Sequence, residues 1–264
     1  MNDYLETAVS AAHAGGEVLM RYFRDGVQMR DKSAEGGKTY DLVSDADVES
    51  EQVIGNLLAS RYPDHELLGE ENLVGSVDAE HLWVIDPLDG TNNFAHNIPH
   101  FAVSIAYYQA GMAKVGAVYN PAREEMFTAV RGEGAFMNGQ PVQVCDSVSL
   151  AQTLIGCGFY YDRGQMMKNT LAALEEFFEQ DIHGIRRFGT AALDLCQVGC
   201  GYFGGFFEYK LSPWDFAAGR LFVEEAGGQI SDAVGNPLEL NVGSVVASNG
   251  KLHDLMIEIT SKRA

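Results

Sequence analysis

The sequence predicts a mixed fold, α+β in its first half and α/β in its second. Three observations predict it. Apolar residues recur at helical spacing in two segments near the start, four strand-like runs separated by turn residues follow, and short strands alternate with helices after about residue 147. We expect a single domain over residues 1–264, with sub-halves of approximately 1–146 and 147–264, because one hydrophobic core stops growing only at about 250–300 residues.

In the first half, helical spacing predicts helices over about 3–23 and 46–62. The polar, glycine-bearing stretch Asp31–Tyr40 between them is interpreted as a loop, either a flap over an active site or an exposed linker. Apolar runs bounded by turn residues predict strands over 81–85, 101–109, 114–119 and 125–130. A further strand enters a hairpin turn at Asn138-Gly139, since both residues tolerate a positive φ.

The same reasoning divides the second half into alternating strands and helices. Strands are predicted over 154–158, 184–188 and 202–209. Helices are predicted over 165–180, 191–198, 216–226 and 252–262. This alternation is typical of an α/β arrangement.

The charge of the chain argues against nucleic-acid and membrane partners. There are 18 basic and 37 acidic residues, which give a formal net charge of -19, so the protein's field repels phosphate backbones and anionic lipid surfaces. Solubility explains most of this charge. An acidic enzyme that acts on an anionic substrate nevertheless needs positive charge at its active site, and bound metal ions supply it.

The chain has four cysteines, too few for a disulfide framework at this length: Cys145, Cys157, Cys196 and Cys200. Cys196 and Cys200 share one face of a predicted helix, which indicates packed, reduced thiols rather than a metal site. The first residues lack the basic start and apolar core of a signal peptide, and no segment reaches the ~18 apolar residues of a membrane span. These features predict a cytoplasmic protein.

The most informative run is Asp86-Pro87-Leu88-Asp89-Gly90, which ends an apolar strand. Pro87 fixes a bend and Gly90 lets backbone amides point at an anion, so both acids can turn inward. Two carboxylates this close do not both ionise cheaply without a cation between them. Mg²⁺ fits better than zinc because no His or Cys lies among these acids. The segment could equally be a polar turn between strands.

Three further acids are ambiguous when each is taken alone. Glu70 follows a short apolar run, and Asp215 precedes a predicted helix, where it could be an N-cap. Asp47 closes a segment that could be a helix start with acids favoured by the dipole. Only their order in the chain relative to Asp86 and Asp89 indicates that these acids belong to one site.

Together these segments resemble the inositol monophosphatase family of magnesium-dependent, lithium-sensitive phosphatases. The resemblance rests on Gly69-Glu70-Glu71, on Trp83–Phe94 and on Trp214-Asp215-x-Ala-Ala-Gly219, with support from Asp41–Asp47 and residues 183–192. It covers essentially the whole chain. It implies a layered α-β-α-β-α sandwich of the inositol monophosphatase and fructose-1,6-bisphosphatase type, and hydrolysis of a small phosphate monoester by metal-activated water.

The resemblance also implies two or three bound Mg²⁺ ions. The ligands that it assigns to them are Glu70, Asp86, the Leu88 carbonyl, Asp89 and Asp215. The first ion would lie between Glu70, Asp86 and Leu88. The second would lie between Asp86, Asp89 and Asp215, and a weaker third would touch Glu70.

Phosphate-binding and catalytic roles follow in the same way. The amides of Gly90 and Thr91 would hold the phosphate. Thr91 paired with Asp47, together with Glu70, would orient and deprotonate a water molecule on the metal. A lysine of the family's loop is matched best by Lys38, with Lys32 as the alternative.

The substrate implied by the resemblance is a small phosphorylated polyol, first of all myo-inositol monophosphate. The residues that would contact it are Asp89, Gly189, Thr190, Ala191, Glu208 and Asp215. The family commonly carries an aspartate four residues before Glu208, where this chain has Gly204, and this departure weakens the match to inositol. The alternatives are fructose 1,6-bisphosphate, histidinol phosphate, NADP, 3'-phosphoadenosine 5'-phosphate, and a non-catalytic regulator on the same fold. The family also suggests a homodimer.

Overall fold

The computed structural model describes residues 3–25, 29–31 and 42–264. Most of the loop predicted over Asp31–Tyr40 lies outside these ranges, as do Lys32 and Lys38. Among the described helices, none is both long and apolar enough to cross a membrane.

The described residues form helices that largely match the predicted ones. The α-helices are α1 (Asp3–Asp25), α2 (Asp45–Arg61), α3 (Thr91–Ala95), α4 (Gln165–Phe178), α5 (Ala191–Gly199), α6 (Pro213–Glu225) and α7 (His253–Thr260). Short 3₁₀ helices span Leu150–Gln152 and Ser261–Arg263.

The strands in the described residues are more numerous than predicted. They are β1 (Met29–Asp31), β2 (Leu42–Ser44), β3 (Glu66–Gly69), β4 (His81–Asp89), β5 (Ala102–Gln109), β6 (Met112–Asn120), β7 (Glu125–Val130), β8 (Gly134–Met137), β9 (Gln140–Val142), β10 (Leu154–Cys157), β11 (Gly184–Arg186), β12 (Gly205–Leu211), β13 (Gln229–Ser231) and β14 (Gly243–Ser248). Most of the strands that the sequence did not predict have three or four residues, and β3 was predicted only as an apolar run. The exception is β14, which has six residues.

A seven-stranded sheet lies at the centre of the first half. Its order is β3-β4-β5-β6-β7-β8-β9, with β3 and β4 parallel and the other neighbours antiparallel. The predicted Asn138-Gly139 turn joins β8 and β9, with positive φ angles of 48° and 76°. β1 and β2 pair separately as an antiparallel ribbon.

A five-stranded sheet of order β11-β10-β12-β14-β13 lies in the second half. β10 pairs in parallel with β11 and β12, and the connections between these strands contain α4 and α5. The predicted α/β alternation is therefore confirmed for this part. β14 runs antiparallel to β12 and β13, so the sheet as a whole is mixed.

The elements stack in five layers. α1 and α2 cover one face of the seven-stranded sheet. α5 and α6 fill the space between its other face and the five-stranded sheet. α4 and α7 cover the outer face of the five-stranded sheet. This is the α-β-α-β-α sandwich that the resemblance implied.

α6 belongs to the second half in sequence but packs against the sheet of the first half. The ring of Phe222 meets that of Phe127 edge-on, with centroids 5.7 Å apart. Gly116 of β6 has no space for a Cβ, because the Ala218 carbonyl oxygen would lie 2.9 Å away. The two halves therefore share a hydrophobic core.

Two predicted boundaries near the site were wrong. α6 begins at Pro213 rather than at residue 216, because Ser212 and Asp215 form a capping box and Pro213 fits the first helical turn. The strand predicted from residue 202 begins at Gly205, since the chain turns after α5 with Gly201 at a φ of 75°. Asp215 thus lies inside a helix and not before it.

α2 is unusual in the residues that it buries. Its inner face contains Asp47, Ser50 and Glu51 beside the apolar Ile54 and Leu58. Charged side chains are rarely buried unless they have hydrogen-bond partners. This face of α2 lies under the loops that form the candidate site, as described below.

Candidate active site

Two acidic residues come together where the parallel strands β3 and β4 meet. Gly69 pairs with Ile85 at the last register position, so the chain continues into Glu70 on one strand and Asp86 on the other. Neighbouring parallel strands point the same way, and their ends reach the same sheet edge. The pairing therefore brings together two acids that are distant in sequence.

β4 is irregular between Asp86 and Asp89. Asp86 pairs with Ser104 of β5 and Asp89 with Ala102, so β4 contains one extra residue over this interval. In a regular strand, residues three apart face opposite sides of the sheet. The extra residue allows both carboxylates to face one side, and a hydrogen bond from the Leu88 amide to Asp86 Oδ1 (3.0 Å) stabilises the bend.

Gly90 and Thr91 begin the short helix α3. Gly90 has a left-handed φ of 94°, and it packs so closely against Thr190 that a side chain would not fit. The Thr91 hydroxyl donates a hydrogen bond to the Leu88 carbonyl (3.1 Å), which is one of the predicted metal ligands. A carbonyl oxygen has two lone pairs, so one remains for an ion.

Asp89 and Asp215 each bind a backbone amide near the start of a helix. Asp89 Oδ2 accepts a hydrogen bond from the Ala192 amide of α5 (2.7 Å), and Asp215 Oδ2 accepts one from the Ser212 amide (2.6 Å). Asp215 is therefore not the N-cap, the alternative stated for it; Ser212 is the N-cap, and Asp215 is its partner in the capping box at the third helical position. Each carboxylate has a second oxygen, so capping does not exclude metal binding.

These residues line one cavity of about 220 Å³. Its wall contains all the residues predicted to bind metal, phosphate or substrate: Glu70, Asp86, Leu88, Asp89, Gly90, Thr91, Gly189, Thr190, Ala191, Glu208 and Asp215. Among the predicted catalytic residues, Asp47 is not in this wall. It is buried in the first turn of α2.

The acids in the cavity raise one another's pKa. Burial raises the pKa of Asp86 well above its ordinary value, and Glu70, Asp89 and Asp215 raise it further. Burial also raises the pKa of Asp89 to about 7, against the opposing hydrogen bond from Ala192. Burial and the neighbouring Asp89 raise the pKa of Asp215 to about 7. A cation in the cavity would offset this repulsion and favour the ionised carboxylates.

The donor set fits a hard divalent cation such as Mg²⁺. Carboxylates and a backbone carbonyl are oxygen donors, and the described part of the cavity wall contains no His or Cys. Over residues 3–25, 29–31 and 42–264, no three His, Cys, Asp or Glu side chains are gathered closely enough to enclose an ion. The acids therefore line the cavity without enclosing an ion position, and an ion bound there would have to draw them together.

Glu208 of β12 lies in the same wall. Burial raises its pKa to about 8, with a further contribution from Asp215. Its carboxylate packs onto Gly158, where its oxygens occupy the place that a Cβ would take. Gly204 stands where the family commonly carries an aspartate, and the packing explains why a side chain does not fit there. A Cβ at Gly204 would lie 2.6 Å from Thr153.

The cavity includes residues that the sequence did not single out: Gly158, Phe159, Tyr160, Tyr161, Asp194 and Ser212. Asp194 is 1% exposed, its Oδ1 has no hydrogen-bond partner among the described residues, and burial raises its pKa well above the ordinary value. A lone acid between Leu193 and Leu195 in an apolar helix was the available signal. Arg187 also lines the cavity.

Comparisons with known proteins agree with this architecture. A family model described as the inositol monophosphatase family matches residues 1–263. An inositol-1-monophosphatase of Synechocystis sp. is 40% identical over 254 residues, which cover 96% of this chain and 87% of the relative. The putative Nus factor SuhB of Neisseria meningitidis serogroup B is 40% identical over 264 residues, 99% of each chain. The crystal structure of the extragenic suppressor protein SuhB from Bartonella henselae matches with a TM-score of 0.90 and 37% identity over 99% of both chains. The predicted fold is confirmed.

Proposed function

The chain belongs to the inositol monophosphatase family, and from this membership we propose that it is a magnesium-dependent phosphatase whose substrate is a small phosphate monoester, first of all myo-inositol monophosphate. One observation carries the proposal. The four acids implied as metal ligands, Glu70, Asp86, Asp89 and Asp215, line a single cavity with Gly90 and Thr91.

The four acids and the Leu88 carbonyl would hold two or three Mg²⁺ ions. Bound there, the ions would neutralise the phosphoryl and leaving oxygens and lower the pKa of a water molecule. Glu70 would accept the proton of the attacking water. Thr91, paired with Asp47, would orient that water together with Glu70.

The backbone amides of Gly90 and Thr91 would donate hydrogen bonds to the phosphate oxygens, since successive amides in this conformation form an anion-binding concavity. In the balanced reaction, water adds to phosphorus and the bond between phosphorus and the alcohol oxygen breaks. The alcohol oxygen takes up a proton, and inorganic phosphate is released. No covalent bond to the protein is required.

The size of the cavity favours a sugar-sized substrate. Its volume of about 220 Å³ over the described residues is below the roughly 300–1,000 Å³ of sites for drug-sized ligands, so it favours the smaller of the candidate esters. Glu208 would accept hydrogen bonds from two neighbouring hydroxyls of a polyol. Fructose 1,6-bisphosphate and histidinol phosphate are compact enough to compete, so assay must separate them from inositol phosphate.

The proposal is tested by measuring kcat/KM with Mg²⁺ for myo-inositol monophosphate and for the four alternative phosphate esters. We expect the inositol ester to give the highest value. Asp89→Asn should abolish turnover and keep the fold, because an amide oxygen can still accept the bond from Ala192. Asp254→Asn, a change at an exposed acid of α7, is the matched control. Retained Mg²⁺-dependent turnover in folded Asp89→Asn protein would refute the site assignment.

A second candidate function is a regulatory role through a partner. It is favoured by the relative of 40% identity over the whole chain that is named as a putative Nus factor. The net charge of -19 counts against direct contact with RNA, so a protein partner is the better expectation. Absence of turnover on all the phosphate esters with Mg²⁺, together with tight binding of one partner by purified protein, would favour this candidate over the enzyme.

A further inference from the structure

α2 carries two buried polar residues, Ser50 and Glu51, that have no part in the proposed mechanism. Ser50 is fully buried and Glu51 is 2% exposed. Burying a carboxylate is costly unless hydrogen bonds compensate for the lost water. The partners of Glu51 therefore indicate what its burial achieves.

The Glu51 carboxylate is bound by the backbone that follows Glu70. Oε1 accepts a hydrogen bond from the Glu71 amide (2.9 Å), and Oε2 accepts one from the Asn72 amide (2.7 Å). On the other side of Glu70, Gly69 has no room for a Cβ because Glu51 Oε1 occupies that place. Glu51 thus contacts the main chain both before and after Glu70.

Ser50 binds the other acidic segment. Its hydroxyl donates a hydrogen bond to the Pro87 carbonyl (3.1 Å) inside the Asp86–Asp89 irregularity of β4. Adjacent residues of one helix therefore hold the segment after Glu70 and the irregular end of β4 that carries Asp86. A helix is stiff, so the distance between these two segments is fixed where they attach to it.

We propose that Glu51, assisted by Ser50, is a positioning residue that sets the place of Glu70 relative to Asp86 and so tunes the cavity for a divalent cation. The identity of that cation rests on the proposed function, whereas the hydrogen bonds of Ser50 and Glu51 do not depend on it. Residues that hold metal ligands in place typically affect metal affinity by about 10- to 100-fold when they are changed.

The first test compares Glu51→Gln with Glu49→Gln on the same helix. Glutamine keeps the size of Glu51 but turns an NH₂ group toward an amide donor, so at least one of the two hydrogen bonds is lost. Glu49 instead pairs with Arg21 on the surface, 37% exposed. We expect faster hydrogen exchange at the Glu71 and Asn72 amides in metal-free Glu51→Gln, and a Kd for Mg²⁺ raised by about 10- to 100-fold in calorimetry. Glu49→Gln should change neither.

Turnover gives a readout that a merely structural defect would not produce. In Glu51→Gln, more Mg²⁺ should be needed for half-maximal activity, while kcat at saturating Mg²⁺ returns toward the wild-type value and the KM for substrate stays unchanged. Gly69→Ala should behave in the same way, because it displaces the intact Glu51 carboxylate by contact.

The outcomes separate this proposal from the proposed function. If folded Glu51→Gln and Gly69→Ala keep wild-type amide exchange and wild-type Mg²⁺ affinity, the positioning role is refuted. If the wild-type protein binds no Mg²⁺, the proposed function fails, and the exchange rates of the Glu71 and Asn72 amides alone decide whether Glu51 holds the loop.

Discussion

Replacing Gly158 by alanine should reduce recognition of the polyol without damaging the metal site. The added methyl group would take the place of Glu208 Oε2, and the other carboxylate oxygen would lie only 2.9 Å from it. The carboxylate must therefore move by roughly 1 Å or more, a displacement that can cost about 100-fold in rate. Loss of one hydrogen bond to a charged group costs about 1.5–3 kcal/mol, which corresponds to a comparable loss in kcat/KM of roughly 10- to 150-fold.

The assay is kcat/KM on two substrates, myo-inositol monophosphate and p-nitrophenyl phosphate, which has no hydroxyls beside its phosphate. We expect the loss on the inositol ester only. Gly243→Ala is the control, since a Cβ at that position would approach nothing more closely than the Asn241 carbonyl oxygen, at 4.0 Å. Equal losses on both substrates would show damage to the phosphate or metal site, and no loss on either would show that Glu208 does not contact the substrate.

Two further predictions concern the titration of the buried acids. The rise in Tm caused by Mg²⁺ should be larger at pH 8 than at pH 5.5. At pH 5.5 the metal-free fold keeps protons on Asp89 and Asp215 (pKa about 7) that the unfolded chain has lost, so the stability of the metal-free fold falls as the pH rises through about 7. At pH 8 bound Mg²⁺ would take the place of those protons. Equal shifts in thermal scans at the two pH values would contradict this. Asp194→Asn should raise the free energy of unfolding at pH 8 and change it little near pH 4, because burial raises the pKa of Asp194 and the amide mimics its protonated form. Urea unfolding at both pH values measures the difference, and a gain of equal size at pH 4 would refute the electrostatic explanation.

The acids at the ends of elements could be found from the sequence, whereas the residues beneath them could not. Asp86 and Asp89 follow an apolar strand, and their spacing in the chain already suggested a shared role. Glu51 binds amides of Glu71 and Asn72 that are far away in sequence. A sequence pattern cannot show which distant backbone a helix residue will contact. The sequence therefore does not distinguish Glu51 from the other acids of the helix predicted over 46–62.

The boundary of α6 shows a signal that was present and not used. Ser212 and Asp215 stand three residues apart with Pro213 between them, which is the spacing of a capping box with proline in the first turn. Asp194 is different, because only the folded structure shows that its buried Oδ1 has no hydrogen-bond partner among the described residues. Asp47 stays a prediction, since the structure shows that it is buried and that it is not part of the cavity wall.

The hydrogen bond from Ala192 to Asp89 bears on how such a protein could change function over time. Through this bond Asp89 links helix α5 of the second half to the Asp86–Asp89 segment of the first, so its carboxylate has a structural role besides the metal-binding role that we propose for it. A descendant that lost the proposed hydrolysis would still benefit from an acceptor at this position. Retention of Asp89 in a relative is therefore weak evidence that the relative is active. In a lineage that loses activity, substitutions should appear first at acids that hold no helix in place.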